Sequence, residues 1–185
     1  MTADEDVPRT EHTGHPVPVE RGGDPPPVER GGDPVPKGLG DRPPGTEPGG
    51  SPAPAKAGDR LPPLEIGITR TLIVAGAIAS RDYQDVHHDP ELARRKGSPD
   101  IFMNILTTNG LVGRYITDHF GPHAVLRKVA VRLGAPNHPG DTMVLTGTVE
   151  EVSGDTATVR VVGANGVGRH VTATVTVTLP AGGAG

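Results

Sequence analysis

The clearest pattern in the chain lies near its C-terminal end. From His170 to Leu179 apolar and polar residues alternate without a break, with Val171, Ala173, Val175, Val177 and Leu179 on one side and Thr172, Thr174, Thr176 and Thr178 on the other. A period of two sends one set into a core and leaves the other in water, as in an antiparallel sheet covered on one face. Val125–Leu133, Thr142–Val152 and Thr156–Val162 are likewise dominated by Val, Thr, Leu and Arg. Gly140-Asp141, Ser153-Gly154-Asp155 and Gly163–Gly168 supply the turns between them. Four antiparallel strands are predicted here. Upstream, Ile66–Val74 is rich in β-branched residues and reads as a further strand. Small, helix-tolerant Ala75–Arg81 and the polar, loop-like Asp82–Asp89 come after it.

Two helix-start signals stand between these regions. Asp89-Pro90 offers an N-cap followed by Pro at the first helical position, predicting a short helix Glu91–Lys96 that Gly97 stops. Ser98-Pro99-Asp100 repeats the signal and predicts the longest helix, from Ile101 to about His119, ended by Gly121-Pro122. Its N-terminal half is apolar on nearly every side (Ile101, Phe102, Met103, Ile105, Leu106, Leu111, Val112), the mark of a helix surrounded by protein. Strand, long buried helix and four antiparallel strands are satisfied together by one curved sheet wrapped around a central helix. The expected fold class is therefore α+β with a hot-dog architecture. A ferredoxin-like split sheet would need a second long helix late in the chain, and the sequence has none.

Composition changes the picture at the N-terminus. Residues 1–60 hold 13 of the 21 prolines, 11 of the 27 glycines and no aromatic residue, with 11 acidic against 7 basic side chains. Such a segment cannot bury enough apolar surface to offset its chain entropy, so it is expected to be disordered. It contains a nine-residue repeat, Pro18-Val19-Glu20-Arg21-Gly22-Gly23-Asp24-Pro25 and then Pro27-Val28-Glu29-Arg30-Gly31-Gly32-Asp33-Pro34. Two copies are too few for a solenoid and read as flexible linker. The expected organisation is a leader over 1–60, one domain over 61–180 and a flexible tail over 181–185.

The domain itself carries equal numbers of acidic and basic residues, and the net charge of −4 resides in the leader. That balance gives no electrostatic footprint for nucleic acid. No run approaches the ~18 apolar residues of a membrane span, and the acidic N-terminus does not resemble a signal peptide. Absence of Cys excludes disulfides, a thiol nucleophile and thiolate zinc sites. A cytoplasmic protein with no nucleic-acid or membrane partner is the expectation.

Candidate chemistry concentrates in Asp82-Tyr83-Gln84-Asp85-Val86-His87-His88-Asp89. Three readings stand: a charged surface loop, a metal site, and an acid/base pair. Adjacent His87-His88-Asp89 contains ligand types, but neighbouring residues seldom aim at one ion, and no His-Glu-x-x-His pattern is present. No metal is expected. As an acid/base pair, a carboxylate and an imidazole in a half-buried site can share one water, the carboxylate orienting the ring and drawing off a proton. On a regular helix Asp82 and His87 would lie ~140° apart, so their convergence requires the intervening chain to leave the helix. His119, His123, His138 and His170 stand singly and read as surface or satisfied histidines. Gly163–Gly168 runs between two strands and opens no helix, so phosphate binding is not expected there.

Asp82-x-x-x-x-His87, the following Asp-Pro-Glu-Leu-Ala-Arg, a buried helix, the strand Arg127–Leu133 and the turn Pro139-Gly140-Asp141 together resemble the MaoC-like enoyl-CoA hydratases, which have a hot-dog fold. The likeness covers about residues 62–180. Arg81–Asp89 with Asp100–Leu106 is similar to one branch of that family, the small catalytic subunit of the actinobacterial hydratase acting on steroid side-chain enoyl-CoA thioesters. The resemblance implies hydration of the α,β double bond of an acyl-CoA thioester, with Asp82 and His87 as the catalytic pair and Phe102, Met103 and Asn104 as substrate-binding residues. It also implies no cofactor, the CoA thioester being the substrate. The implied partner is either a second MaoC-like chain in a heterotetramer or a second copy in a homodimer. Asn104 stands where related hydratases carry Gly, and Gln84 replaces a commoner Asn. The alternatives are a homodimeric hydratase of short or straight-chain enoyl-CoA and a non-catalytic acyl-CoA-binding or assembly subunit.

Overall fold

The computed structural model describes residues 54–180. Of the leader 1–60 predicted to be disordered, residues 1–53 lie outside the described residues, as does the predicted flexible tail 181–185. Residues 54–60 are described: the Gly58 N–H donates to the Val149 carbonyl at 2.8 Å, and the first strand begins at Arg60.

The sheet has five strands, β1 (Arg60–Gly67), β2 (Val125–Leu133), β3 (Thr142–Ser153), β4 (Thr156–Ala164) and β5 (Arg169–Thr178), in spatial order β1-β3-β4-β5-β2. Every neighbouring pair is antiparallel. Three helices lie between β1 and β2: α1 (Arg70–Ala79), α2 (Pro90–Arg95) and α3 (Ile105–Phe120). The alternation read from β5 is observed, with Val171, Ala173, Val175 and Val177 buried. They share one core with Met143, Leu145, Val149, Ala157, Val159 and Val161 of the adjoining strands. Leu111, Val112, Tyr115, Ile116 and Phe120 of α3 complete it. The sheet and the central helix cover each other's apolar surfaces, which is the hot-dog arrangement expected from the sequence.

Two sequence expectations fail locally. Ile66–Val74 is not one strand. β1 starts earlier, at Arg60, and ends at Gly67, after which the Thr69 hydroxyl accepts the Leu72 N–H at 3.0 Å and caps α1. β-Branched Ile73 is tolerated in that helix because its side chain is fully buried. Pro62 and Pro63 hid the true strand, yet β1 is an edge strand with a register irregularity between Leu61 and Leu64, the setting in which proline is allowed.

The long helix begins at Ile105, not at Ile101. The Ser98 hydroxyl donates to the Asp100 carbonyl at 2.6 Å instead of capping a helix. Asp100 pairs with Arg70 at 2.7 and 3.0 Å and accepts the Ile101 N–H at 2.7 Å. The guanidinium first, and then that N–H, hold the Asp100 carboxyl down to about 2. Residues 101–104 thus form a stretched strap, and Asn104 is the N-cap, its Oδ1 accepting the Thr107 N–H at 2.9 Å. Ile105 and Leu106, expected to be buried all round, are 45% and 49% exposed.

His170 is 1% exposed. Its Nδ1 donates to the Ala135 carbonyl at 2.7 Å, and its Nε2 lies 2.9 Å from the Thr108 hydroxyl, which also reaches the Asn104 carbonyl at 3.2 Å. Burial lowers the pKa of this imidazole from its ordinary 6.5, outweighing the opposing pull of the Ala135 carbonyl and Asp141. The native ring is therefore neutral where the unfolded ring takes up a proton. Its stabilising contribution is complete above about pH 6.5 and falls away as pH drops toward the lower folded-state value. Urea unfolding between pH 5 and 7.5 is expected to show a steeper acid loss of stability in the native protein than in His170→Gln. Equal slopes would contradict a buried neutral ring.

Candidate active site

The Asp82–Asp89 segment leaves the helix in the way that convergence of Asp82 and His87 requires. α1 ends at Ala79, and the next two residues turn the chain. Ser80 closes the helix with its hydroxyl on the Gly76 carbonyl at 2.7 Å, and Arg81 takes φ +57°, the left-handed conformation usually held by glycine. The Asp82 N–H then returns to the Ala77 carbonyl at 2.9 Å. A single 3-10 turn over Asp85–His87 brings the imidazole back. The result is Asp82 Oδ2 at 3.3 Å from His87 Nε2, with side-chain exposures of 17% and 6%.

Arg81 stores conformational strain directly beside this carboxylate. Arg81→Gly is expected to raise stability by about 0.5–1 kcal/mol. Thermal denaturation checks it, and a lower melting temperature would show that the arginine side chain contributes more than its backbone costs.

The other nitrogen of His87 is fixed by the strap. Nδ1 lies 2.7 Å from the Phe102 carbonyl, which only accepts, so Nδ1 carries the hydrogen and Nε2 is the working nitrogen facing Asp82. The Phe102 ring stands edge-on to the imidazole, with centroids 5.1 Å apart. The strap is itself held on both sides. The Phe102 N–H donates to the Val86 carbonyl at 3.1 Å and the Met103 N–H to the Asn137 carbonyl at 3.0 Å.

His138, which reads from the sequence as a lone histidine, donates from Nδ1 to the Ile101 carbonyl at 3.0 Å and packs against Phe102. Asn137 is fully buried and binds Asn165 of the β4–β5 turn, Nδ2 of Asn165 donating to Oδ1 of Asn137 at 2.8 Å. Asn137 and His138 carried no sequence signal, because each acts on residues distant in the chain, and of Ser80 only the bonding to the end of α1 is local.

The five residues singled out from the sequence therefore have different placements. Asp82 and His87 meet. Phe102 presents its carbonyl and ring to His87. Met103 is 2% exposed, within the core cluster. Asn104 is also 2% exposed and donates from Nδ2 to Ser80 Oγ at 2.9 Å and to Asp82 Oδ2 at 3.0 Å. Among the described residues no group of three or more His, Asp or Glu side chains is arranged to hold a metal ion, and no helix is long and apolar enough to cross a membrane. Gly163 and Ala164 end β4, and in the β4–β5 turn that follows Asn165 Oδ1 accepts the Val167 and Gly168 N–H groups at 2.9 Å, so those donors are already used.

Comparison with known families matches residues 54–171 to the MaoC like domain. The chain belongs to the MaoC-like family. Within that family it is 50% identical over 109 residues to the beta subunit of 3-oxo-4,17-pregnadiene-20-carboxyl-CoA hydratase from Mycobacterium tuberculosis. That match covers 59% of this chain and 84% of the relative. Among solved structures, a chain of the ChsH1-ChsH2 complex from M. tuberculosis is 48% identical with a TM-score of 0.66, covering 67% of this chain and 98% of that one. The (R)-hydratase from A. caviae involved in PHA biosynthesis superposes with a TM-score of 0.64 at 18% identity, over 68% of this chain and 98% of that one, a likeness of fold alone.

Proposed function

We propose that this MaoC-like chain is the catalytic subunit of an enoyl-CoA hydratase acting on a steroid side-chain thioester, with Asp82 and His87 as its reacting groups. The observation that carries the reading is the half-enclosed Asp82–His87 pair, 3.3 Å apart, with the ring's other nitrogen committed to the Phe102 carbonyl. Such a pair can hold one water against a double bond. The water oxygen bonds to Cβ, one water proton passes to the pair, and the electron pair of the alkene moves toward the thioester oxygen. The pair then returns a proton to Cα, so one water is added in all and the pair is regenerated.

The developing negative charge on the thioester oxygen needs donors. Asn104 already takes the Thr107 N–H, which leaves the first-turn N–H groups of Ile105 and Leu106 at the positive end of α3 for that oxygen. Phe102 then lies at the reacting pair, and Met103 supports the strap from the core. No cofactor is needed, because water and the CoA thioester supply every atom of the product.

Steroid specificity and the partner rest on the 50% identity to the M. tuberculosis subunit and on the ChsH1-ChsH2 complex. Exposed apolar side chains adjoin the reacting residues in sequence, Ile78 and Tyr83 near Asp82, and Ile105 and Leu106 directly after Asn104. Their burial by a second MaoC-like chain accounts for apolar surface that water would otherwise cover.

The test follows the enoyl-thioester absorbance with a steroid enoyl-CoA and with crotonyl-CoA, for this chain alone and with a MaoC-like partner. Decay of the steroid substrate in the presence of the partner is the expected result. Decay of crotonyl-CoA with the chain alone would favour a homodimeric short-chain hydratase. Silence throughout would favour a binding subunit.

A further inference from the structure

We infer that Asn104 is the positioning residue for the Asp82 carboxylate, holding it for catalysis while its own side chain makes no contact with substrate. The inference rests on the reading of Asp82 and His87 as the reacting pair, and it concerns what keeps that pair in register.

The hydrogen-bond directions around Asn104 are fully determined. The Thr107 backbone N–H can only donate, so the atom 2.9 Å from it is the amide oxygen. The amide nitrogen then faces Ser80 Oγ at 2.9 Å and Asp82 Oδ2 at 3.0 Å. The Ser80 hydroxyl has its one hydrogen on the Gly76 carbonyl at 2.7 Å, so Ser80 Oγ accepts from Asn104. Both amide hydrogens are thus spent, one on Ser80 and one on Asp82. A flipped amide would set oxygen against a carboxylate and N–H against N–H, losing all three bonds and adding repulsion.

The consequence is a chain of hydrogen bonds from the end of α1, through Ser80 and Asn104, to Asp82 Oδ2, the same oxygen that faces His87 Nε2, with Asn104 donating both ways. Asn104 also caps α3. One side chain therefore locks the carboxylate to the start of the central helix, where the thioester oxygen's donors are proposed to lie. A carboxylate free to rotate about its side-chain bonds would face His87 and the water only part of the time. Orientation of this kind acts on the chemical step and leaves the affinity for substrate alone. A substrate-binding amide would need a free donor or acceptor at the surface, and at 2% exposure with every hydrogen used Asn104 offers none.

Asn104→Asp isolates the effect. A carboxylate at this position still accepts the Thr107 N–H and is well placed at a helix N-terminus, so the cap survives. It cannot donate to Asp82 and repels it. In the assembly of this chain with its MaoC-like partner, kcat on the steroid enoyl-CoA is expected to fall about 10- to 100-fold with KM within about twofold of the native value, while the two facing carboxylates lower the melting temperature and the Asp82→Asn background recovers it. Placed on an Asp82→Asn background, the same change is expected to cost nothing further, since the residue it positions has gone. A rise in KM with kcat intact would overturn the inference in favour of direct substrate contact. A loss of kcat that persists in full on the Asp82→Asn background, or a fall in melting temperature that this background does not recover, would reduce Asn104 to a helix cap. The single Asp82→Asn variant separates the two levels of the account. If it keeps full turnover, the reading of the pair fails. If it is inactive while Asn104→Asp keeps native kcat, only the inference fails.

Discussion

Replacing Asp82 by Asn is expected to lower the turnover of enoyl-CoA by about 10²–10⁴-fold, the span that a positioned acid/base group contributes, with the fold intact. The substituted amide keeps the size of the carboxylate, and its oxygen can still accept from Asn104. It can no longer take a proton. His87→Ala is expected to lose as much activity. However, the ring is 5% exposed and bonded to the strap, so that variant also loses stability. Steady-state rates alongside circular-dichroism melts separate the two effects. Asp82→Asn with native turnover would mean that the carboxylate only orients the loop.

The second large effect is expected at a glycine well away from the pair. A Cβ built on Gly134 would come within 2.5 Å of the Arg169 carbonyl, a backbone atom held by the Ala135 N–H at 2.9 Å and therefore unable to give way cheaply. Gly134→Ala should cost about 1–3 kcal/mol as an overpacking change. Gly67, with nothing within 4 Å of the corresponding Cβ, is the control: Gly67→Ala should leave stability unchanged or slightly raised.

The Gly134 change should also reach the active site. The loop that Gly134 opens carries the Asn137 carbonyl that holds Met103 and the His138 ring that holds Ile101. Shifting it moves the Phe102 carbonyl that fixes His87. Urea unfolding together with hydratase rates tests both parts, and a destabilised variant with native kcat would show that the strap keeps its place without the loop.

The fold was legible where burial follows a simple period. The alternation from Val171 to Val177 and the β-branched runs before it record a sheet with one face on a core, and the antiparallel ladder places them as expected. It was illegible where tertiary bonds override local preference. Ser98-Pro99-Asp100 has the composition of a helix start. In the fold, Asp100 is drawn to Arg70, Phe102 to Val86 and Met103 to Asn137, so the helix waits for Asn104. Ile66–Val74 misled for the opposite reason: its β-branched residues suit a strand, yet Thr69 supplies a cap and Ile73 a core contact.

The site was half legible. Spacing marks Asp82 and His87 as a pair that can meet only off a helix. Nothing in a list of residues shows that Arg81 adopts a glycine-like angle to allow it. Nor does it show that Ser80 and Asn104, 24 positions apart, join through one amide hydrogen.

The central claim is that water is added to the acyl chain while the thioester stays whole, and mass analysis of the product tests it most directly. The chain and its MaoC-like partner would be mixed with a steroid enoyl-CoA in water enriched in heavy oxygen. The account predicts a CoA ester heavier by one water and carrying one labelled oxygen on the acyl chain, formed at least about 100-fold more slowly by Asp82→Asn. Free CoA with the label in a released carboxylic acid would mean thioester hydrolysis instead, and would contradict it.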